Sequence, residues 1–280
     1  MYQKIALISD IHGNLTAFEA VVNDLKQQKV HDVWFLGDMF MPGPGALNQW
    51  RLFKELEPSL IVRGNWDDLL VNGFYGKLAL TKPSRVFFSR LAEFTGQKLG
   101  KDIIEQIAAW PMHQTRQLGT LTFSCSHNLP FHNFGQKLYP TADQATFDEV
   151  LKDIEADVAL YAHVHHPLMR YTTQEQLVIN PGSVGEPFED WDKLHQDLRA
   201  QYCLLEVDET GLPQVSFRKV AYSRQKEVQR SQEANLPYLK LYQDQLYEGV
   251  VHTHDQALLK QINLTEGYLN DVLTYNQNLN

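Results

Sequence analysis

Three short apolar runs near the start of the chain, "KIALIS" (4–9), "DVWFLG" (32–37) and "SLIVRG" (59–64), read as buried strands. Between the first two, "LTAFEAVVNDLKQQ" (15–28) carries apolar residues at helical spacing. Strand, helix, strand is the pattern of a parallel sheet covered by helices. In such sheets, ligand-binding groups collect on the loops that follow the carboxyl ends of the strands.

The middle of the chain adds a helical stretch over 83–109, interrupted near Gly96 and Gly100 and ending at Trp110-Pro111. Strands are expected at 113–118 and 121–126, then an aromatic-rich loop over 128–140, a helix over 142–154 and a strand at 157–162. Two further pairs, 168–173 with 176–180 and 201–208 with 213–220, read as hairpins. A βαβ-like first half and a strand-rich second half are both satisfied by an α/β (α+β) fold. In it, two mixed sheets pack face to face between outer helices as a four-layer α/β/β/α sandwich. From 223 the sequence turns polar, Gln-rich and helical in period. We therefore divide the chain into a domain over 1–222 and a C-terminal helical appendage over 223–280. The appendage is compatible with a cap over a site, a homodimer surface or a cover for an apolar patch.

The formal charge of −9, from 25 Lys+Arg against 34 Asp+Glu, argues against a long nucleic acid as the main partner. It leaves a small phosphate ester open, because a bound metal outweighs local acidity. Cys125 and Cys203 sit in apolar runs as small core residues, and Phe18 and Trp34 read as core. The opening apolar run is too short for a signal peptide and no run reaches membrane-spanning length, so a cytoplasmic location is expected.

The segment "YAHVHHP" (161–167) places three of the eleven histidines within four positions. On a strand, His163 and His165 would face one point and His166 would face away. Other residues that bind metals stand just past predicted strands: Asp10 and His12 in "SDIHGN", Asp38 in "LGDMF", Asn65 in "RGNWDD" and His127 in "SCSHN". Singly, each has a bland explanation: a helix cap, a turn or a satisfied buried histidine. Unrelated turns and caps have no reason to put all of them at strand ends, so a two-metal site is expected. Gly64 is expected to relieve the backbone so that the Asn65 amide turns inward. The run "NPGSVG" (180–185) reads as a tight turn supporting the metal loops or offering backbone N–H groups to a phosphate. His252 and His254 repeat the His-x-His spacing but lie in the polar appendage, away from carboxylate motifs.

Taken in order, Asp10-Ile-His12, Gly37-Asp38, Gly64-Asn65, His127, His163-Val-His165 and "NPGSVG" resemble the calcineurin-like metallophosphoesterases, in their small bacterial phosphodiesterase branch. The resemblance implies one ion on Asp10, His12, Asp38 and His165. It implies a second on Asp38, Asn65, His127 and His163, with Asp38 bridging and His166 not a ligand. Manganese and/or iron would suit these O and N donors best, and zinc, cobalt or nickel remain open. Two such ions lower the pKa of a shared water, so that hydroxide attacks phosphorus in line.

One position departs from the family. Many members carry a histidine after Gly-Asn, which stabilises the transition state or protonates the leaving group, and here that position is Trp66. Indole cannot titrate as an acid. Asp67 keeps the acidic position of the motif, and His132 or a metal-bound water is an alternative proton source. Trp66, Phe131 and Phe134, with Phe188 and Trp191 further along, either pack their loops or stack a nucleobase. Arg63, Arg170 and Asn128 are candidate contacts for outer substrate groups. Diadenosine tetraphosphate hydrolases belong to the resembled family, and asymmetric cleavage to ATP plus AMP suits a site without the protonating histidine. A non-enzymatic interaction module on the same fold and a phosphoprotein phosphatase are the alternatives.

Overall fold

The computed structural model of the chain describes residues 2–189, 191–211 and 213–279. The first sheet contains β1 (Gln3–Ile8), β2 (Asp32–Phe35), β3 (Leu60–Ile61), β9 (Ala200–Val207) and β10 (Pro213–Val220), in the order β10-β9-β1-β2-β3. The second contains β4 (His113–Leu118), β5 (Leu121–Ser126), β6 (Val158–Leu160), β7 (Pro167–Tyr171) and β8 (Leu177–Pro181), in the order β4-β5-β6-β8-β7. Both sheets are mixed. β1, β2 and β3 run parallel in one and β5, β6 and β8 in the other, with antiparallel partners at the flanks.

Strand alternation builds the layers. Ile5, Leu7, Trp34 and Leu36 point into an inter-sheet core, where they meet Phe123, Cys125, Leu160 and Ile179 of the second sheet. The intervening residues Ala6, Ile8, Val33 and Phe35 point the other way. They join Phe18 of α1 (Leu15–Gln28) and Phe53 of α2 (Leu47–Glu55) in an outer core. On the far face of the second sheet, Ala159, Tyr161 and Val178 pack under Phe147 of a short helix. Both faces of each central strand are therefore apolar, as the uninterrupted runs required. The architecture is the expected α/β/β/α sandwich. Trp34 and Phe18 are core residues, and Cys125 and Cys203 are buried free thiols.

Several expectations need correction. Two helices were not legible: α2, and α3 (Asn65–Phe74), which begins on a candidate ligand. The stretch over 83–109 breaks once, between α4 (Pro83–Leu99) and α5 (Lys101–Ala108), at Gly100 with φ 80°. Gly96 lies inside α4, where an added Cβ would stand 2.4 Å from the Phe74 ring, so it serves close packing. The helix expected over 142–154 is α6 (Gln144–Asp148) with a 3-10 turn over Glu149–Leu151. The strands expected at 59–64 and 157–162 shorten to two and three residues, because the chain leaves the sheet early to reach the site.

The appendage consists of α7 (Arg224–Glu233), α8 (Leu239–Glu248), α9 (Gln256–Thr265) and α10 (Tyr268–Asn278). Leu236, Tyr238, Leu241, Tyr242, Leu246 and Leu259 enter the same outer core as Phe18 and Phe35. Buried Glu227 accepts hydrogen bonds from Thr16 N and Tyr242 Oη, which joins α7 and α8 to the start of α1. Among the described residues, no helix is long and apolar enough to cross a membrane.

Candidate dinuclear metal centre

All seven candidate ligands stand beyond the carboxyl ends of parallel strands: Asp10 and His12 after β1, Asp38 after β2, Asn65 after β3, His127 after β5, and His163 and His165 after β6. The loops are laced together by backbone bonds. Asp10 N donates to Gly37 O, His12 N to Asp38 O and Ala162 N to His127 O. Five of the seven candidate ligands adopt left-handed backbone: Asp10 (φ 52°), His12 (50°), Asp38 (59°), His163 (68°) and His165 (56°). Such residues cost about 1–3 kcal/mol each and persist only where the surroundings impose them. This corrects the strand reading of His163-Val-His165. The pair lies in a loop past β6, and left-handed turns, not strand alternation, aim the two rings, which serve different clusters. His166 does point away, with its ring edge-on to Tyr139 and Phe188.

Two clusters form. Asp10, His12 and His165 hold donor atoms within 4.8 Å of one another, and so do Asp38, His127 and His163. Asn65 joins the second through its Oδ1, 3.1 Å from His127 Nε2. Asp38 Oδ2 lies between the clusters, 3.2 Å from His127 Nε2 and 3.8 Å from His12 Nε2. Its other oxygen accepts the Trp66 N–H at 2.8 Å, so one oxygen alone faces the centre. The tautomers are set by backbone carbonyls: His12 Nδ1 lies 2.8 Å from Met41 O, His127 Nδ1 2.6 Å from Leu36 O and His165 Nδ1 2.6 Å from Glu186 O. With Nδ1–H donating there, Nε2 is the ring atom each imidazole turns to the centre, where its lone pair serves a metal once the ring is neutral.

The site fits cations on its own geometry. Both oxygens of buried Asp10 lack a hydrogen-bond donor. An uncompensated buried carboxylate is costly, and a metal ion compensates it. Burial pushes the Asp10 and Asp38 carboxyls up, but the neighbouring imidazoles outweigh it and hold both below the usual range. In return, burial opposes the charge on His127 and His165, yet Asp38 drives the first to about 10 and Asp10 the second to about 9. Burial, then the charge on His127, takes His163 down to about 3.

A family model for the calcineurin-like phosphoesterase superfamily domain matches residues 3–210. The chain belongs to the calcineurin-like phosphoesterase superfamily. An uncharacterised protein of Methanocaldococcus jannaschii is 26% identical over 253 residues, covering 83% of this chain and 93% of the relative. Among solved structures, a hypothetical protein of Pyrococcus horikoshii superposes with a TM-score of 0.73 at 20% identity, over 89% of this chain and 99% of the other. A metallophosphoesterase of Sphaerobacter thermophilus gives 0.68 at 24% identity, over 89% and 100%. These two similarities concern the fold.

In this calcineurin-like phosphoesterase, Asp67 is buried behind the site. Its carboxylate accepts N–H bonds from Asp38 (2.9 Å), Met39 (3.0 Å) and Gly64 (2.9 Å), which locks the Asp38 loop to the start of α3. Burial, with the nearby Asp38 charge, raises its pKa to about 7. Gly64 has extended backbone (φ −89°), so its role is space and not the backbone freedom expected: an added Cβ would lie 2.0 Å from Asp38 Oδ1. Trp66 packs edge-on between His12 and Phe88, at 5.1 Å from each ring. Arg63 is tied to Asp68 (2.8 Å) and Ala108 O (2.6 Å), and Asp68 receives Asn133 Nδ2 from the aromatic loop (2.7 Å). Asn128 is buried and donates to Gly135 O at 2.9 Å, bracing that loop. At its tip Phe131 is 81% exposed and Phe134 55%, with the exposed His132 ring 3.8 Å from Phe134. Arg170 lies over Phe147 and donates to Ala142 O, on the opposite face of the second sheet. Trp191 is exposed, and His252 pairs with Asp244 within the appendage.

The "NPGSVG" turn serves support alone. The N–H groups of Gly182, Ser183, Val184, Gly185 and Glu186 donate to Asn180 Oδ1, Gln201 Oε1, Ser9 O, Asp10 O and Ser183 Oγ, leaving none of the five for a phosphate. Sequence reasoning missed Glu186, whose carboxylate reaches the first cluster, 3.6 Å from His12 Nε2. The available signal was an acidic residue directly after a turn already assigned to the site.

Proposed function

We propose that the protein is a two-metal phosphoesterase acting on phosphodiester or phosphoanhydride bonds of small nucleotides. The observation that carries this reading is the shared Asp38 Oδ2, placed between two clusters that together contain all seven ligand residues. Asp10, His12, Asp38 and His165 would hold one divalent ion, and Asp38, Asn65, His127 and His163 the other. Manganese and/or iron suit these donors, as do zinc, cobalt and nickel. When bound, such a pair generates a nucleophile from water near neutral pH and neutralises charge on the phosphoryl oxygens.

The chain's own residues orient the centre and its substrate. The Trp66 amide fixes the Asp38 carboxylate, and Asp67 fixes the loop that carries it. The Trp66 indole walls the site beside His12. Phe131 and Phe134 offer exposed ring faces on the loop that leaves His127, and aromatic faces stack nucleobases without a basic surface. Indole supplies no proton to a leaving group. A nucleotide phosphate leaves without one, and for poorer leaving groups His132 on that loop is the proposed proton donor. These features favour dinucleoside polyphosphates such as diadenosine tetraphosphate, cleaved asymmetrically to ATP and AMP. We place the protein in the cytoplasm, where its two buried thiols stay reduced.

The test is a panel of divalent metals against bis-p-nitrophenyl phosphate, p-nitrophenyl phosphate and diadenosine tetraphosphate, with nucleotide products separated by chromatography. Manganese-dependent cleavage of the diester and of the dinucleotide supports the proposal. Release of inorganic phosphate from monoesters, with diesters and dinucleotides untouched, overturns it.

A further inference from the structure

We infer that Glu186 is an additional protein donor to the cation position built by Asp10, His12 and His165, an inference that rests on the dinuclear reading above. Two donors that bind one ion at about 2.0–2.2 Å would lie no more than about 4.4 Å apart, twice that distance, in any coordination geometry. The cluster's own edges fall within that limit: His12 Nε2 to His165 Nε2 is 3.2 Å, His165 Nε2 to Asp10 Oδ1 3.2 Å and His12 Nε2 to Asp10 Oδ1 3.8 Å. Glu186 Oε2 to His12 Nε2, at 3.6 Å, falls there too. The residue is 6% exposed, and among the described residues His12 is the one basic group within 4.0 Å of its carboxylate.

The backbone of Glu186 is held by the ligand segments themselves. Its N–H donates to Ser183 Oγ, whose hydroxyl donates to Asp10 O, and its carbonyl accepts His165 Nδ1. The preceding Gly185 lies so close to the Asp10 loop that an added Cβ would meet Ile11 O at 1.9 Å. The Glu186 backbone is therefore anchored to the Asp10 and His165 segments, which leaves its carboxylate within reach of the cluster, 3.6 Å from His12 Nε2.

The consequence is an asymmetric pair. The first position is faced by three carboxylates, Asp10, Asp38 and Glu186, and two imidazoles. The second is faced by Asp38, the Asn65 amide and two imidazoles. Carboxylate-rich sites favour harder ions such as manganese over softer ones. Glu186 thus makes the first position the tighter one for manganese.

Metal-free protein titrated calorimetrically with Mn2+, with the bound-manganese EPR signal as a second readout, tests this without any substrate. The wild type is expected to take up two ions per chain in unequal steps. Asp10→Asn identifies the first position by the step it removes, and Asn65→Ala the second. Glu186→Gln is expected to weaken the Asp10-dependent step by about 10–100-fold and leave the Asn65-dependent step unchanged. Two steps that both keep their wild-type affinities in Glu186→Gln, or a loss confined to the Asn65-dependent step or spread equally over both, overturn the inference and leave the phosphoesterase reading standing. A wild type that binds no ion overturns both. Thermal unfolding of the metal-free variants controls for folding. If Glu186→Gln does not fold, Glu186→Asp reads the same step, because it keeps the charge but withdraws it by one methylene.

Discussion

His12 and His165 hold their Nε2 atoms 3.2 Å apart while both Nδ1 atoms lie within hydrogen-bond distance of backbone carbonyls. Two imidazole nitrogens so placed repel each other unless a cation or proton lies between them, and the Asp10 carboxylate, whose Oδ1 is 3.2 Å from His165 Nε2, is open to the same cation. Divalent ions should therefore raise stability. At free Mn2+ near 100 times the dissociation constant, the gain is about 2.7 kcal/mol per site. Thermal unfolding with chelator and with added Mn2+ should differ by several degrees, and coincident curves would contradict the reading.

Asp38→Asn should abolish most hydrolysis while leaving the fold intact. The substitution keeps an acceptor for the Trp66 N–H but removes the negative charge shared between the two clusters. A loss of about 10³-fold in turnover of bis-p-nitrophenyl phosphate is expected, with an unchanged circular dichroism spectrum.

Asp67→Ala should act on stability and activity together. It strands three buried backbone N–H groups, of Asp38, Met39 and Gly64, at about 1 kcal/mol or more each. Urea unfolding should show a loss of about 3 kcal/mol, and turnover should fall because the Asp38 loop is no longer locked to α3.

Phe131→Ala separates substrate contact from structure. At 81% exposure the ring contributes little to folding, so stability should change by less than about 0.5 kcal/mol. If the ring stacks a base, KM for dinucleotides should rise by about 5- to 100-fold while hydrolysis of bis-p-nitrophenyl phosphate is unaffected. Equal kinetics on both substrates would remove Phe131 from the nucleotide site.

Acid should weaken the link between α1 and the first sheet. Asp24 accepts from Tyr202 Oη (2.5 Å) and Arg218 Nε (2.8 Å). Burial pushes its carboxyl up, but these partners outweigh that and hold it below the usual range. A depressed carboxyl contributes stability that is complete above the unfolded-state pKa of about 3.9 and is lost as pH falls through the folded value. The urea midpoint should drop below about pH 4, and Asp24→Asn should flatten that part of the profile.

The sequence alone determined the layers and the strand ends at which most of the candidate ligands stand. An apolar run buried on both faces has one use in a chain of this length, and a residue following such a run lands at a strand's carboxyl end whatever the loop does. Asp10, Asp38, Asn65 and His127 were legible for that reason. Tertiary structure decided how those ends are aimed. The left-handed backbone at five candidate ligands is imposed by bonds between loops distant in sequence, such as Asp10 N to Gly37 O and His12 N to Asp38 O, and no local propensity announces it. Helix α3 is started by Asp67 accepting from Gly64 N while the same carboxylate grips the Asp38 loop, so its onset depends on a segment 28 residues or more away. Glu186 reaches His12 because Ser183 and Gly185 dock on the Asp10 loop, a contact between residues more than 170 positions apart. Residue type and strand position are local quantities that sequence carries; convergence of side chains on a common point is set by packing between the two sheets.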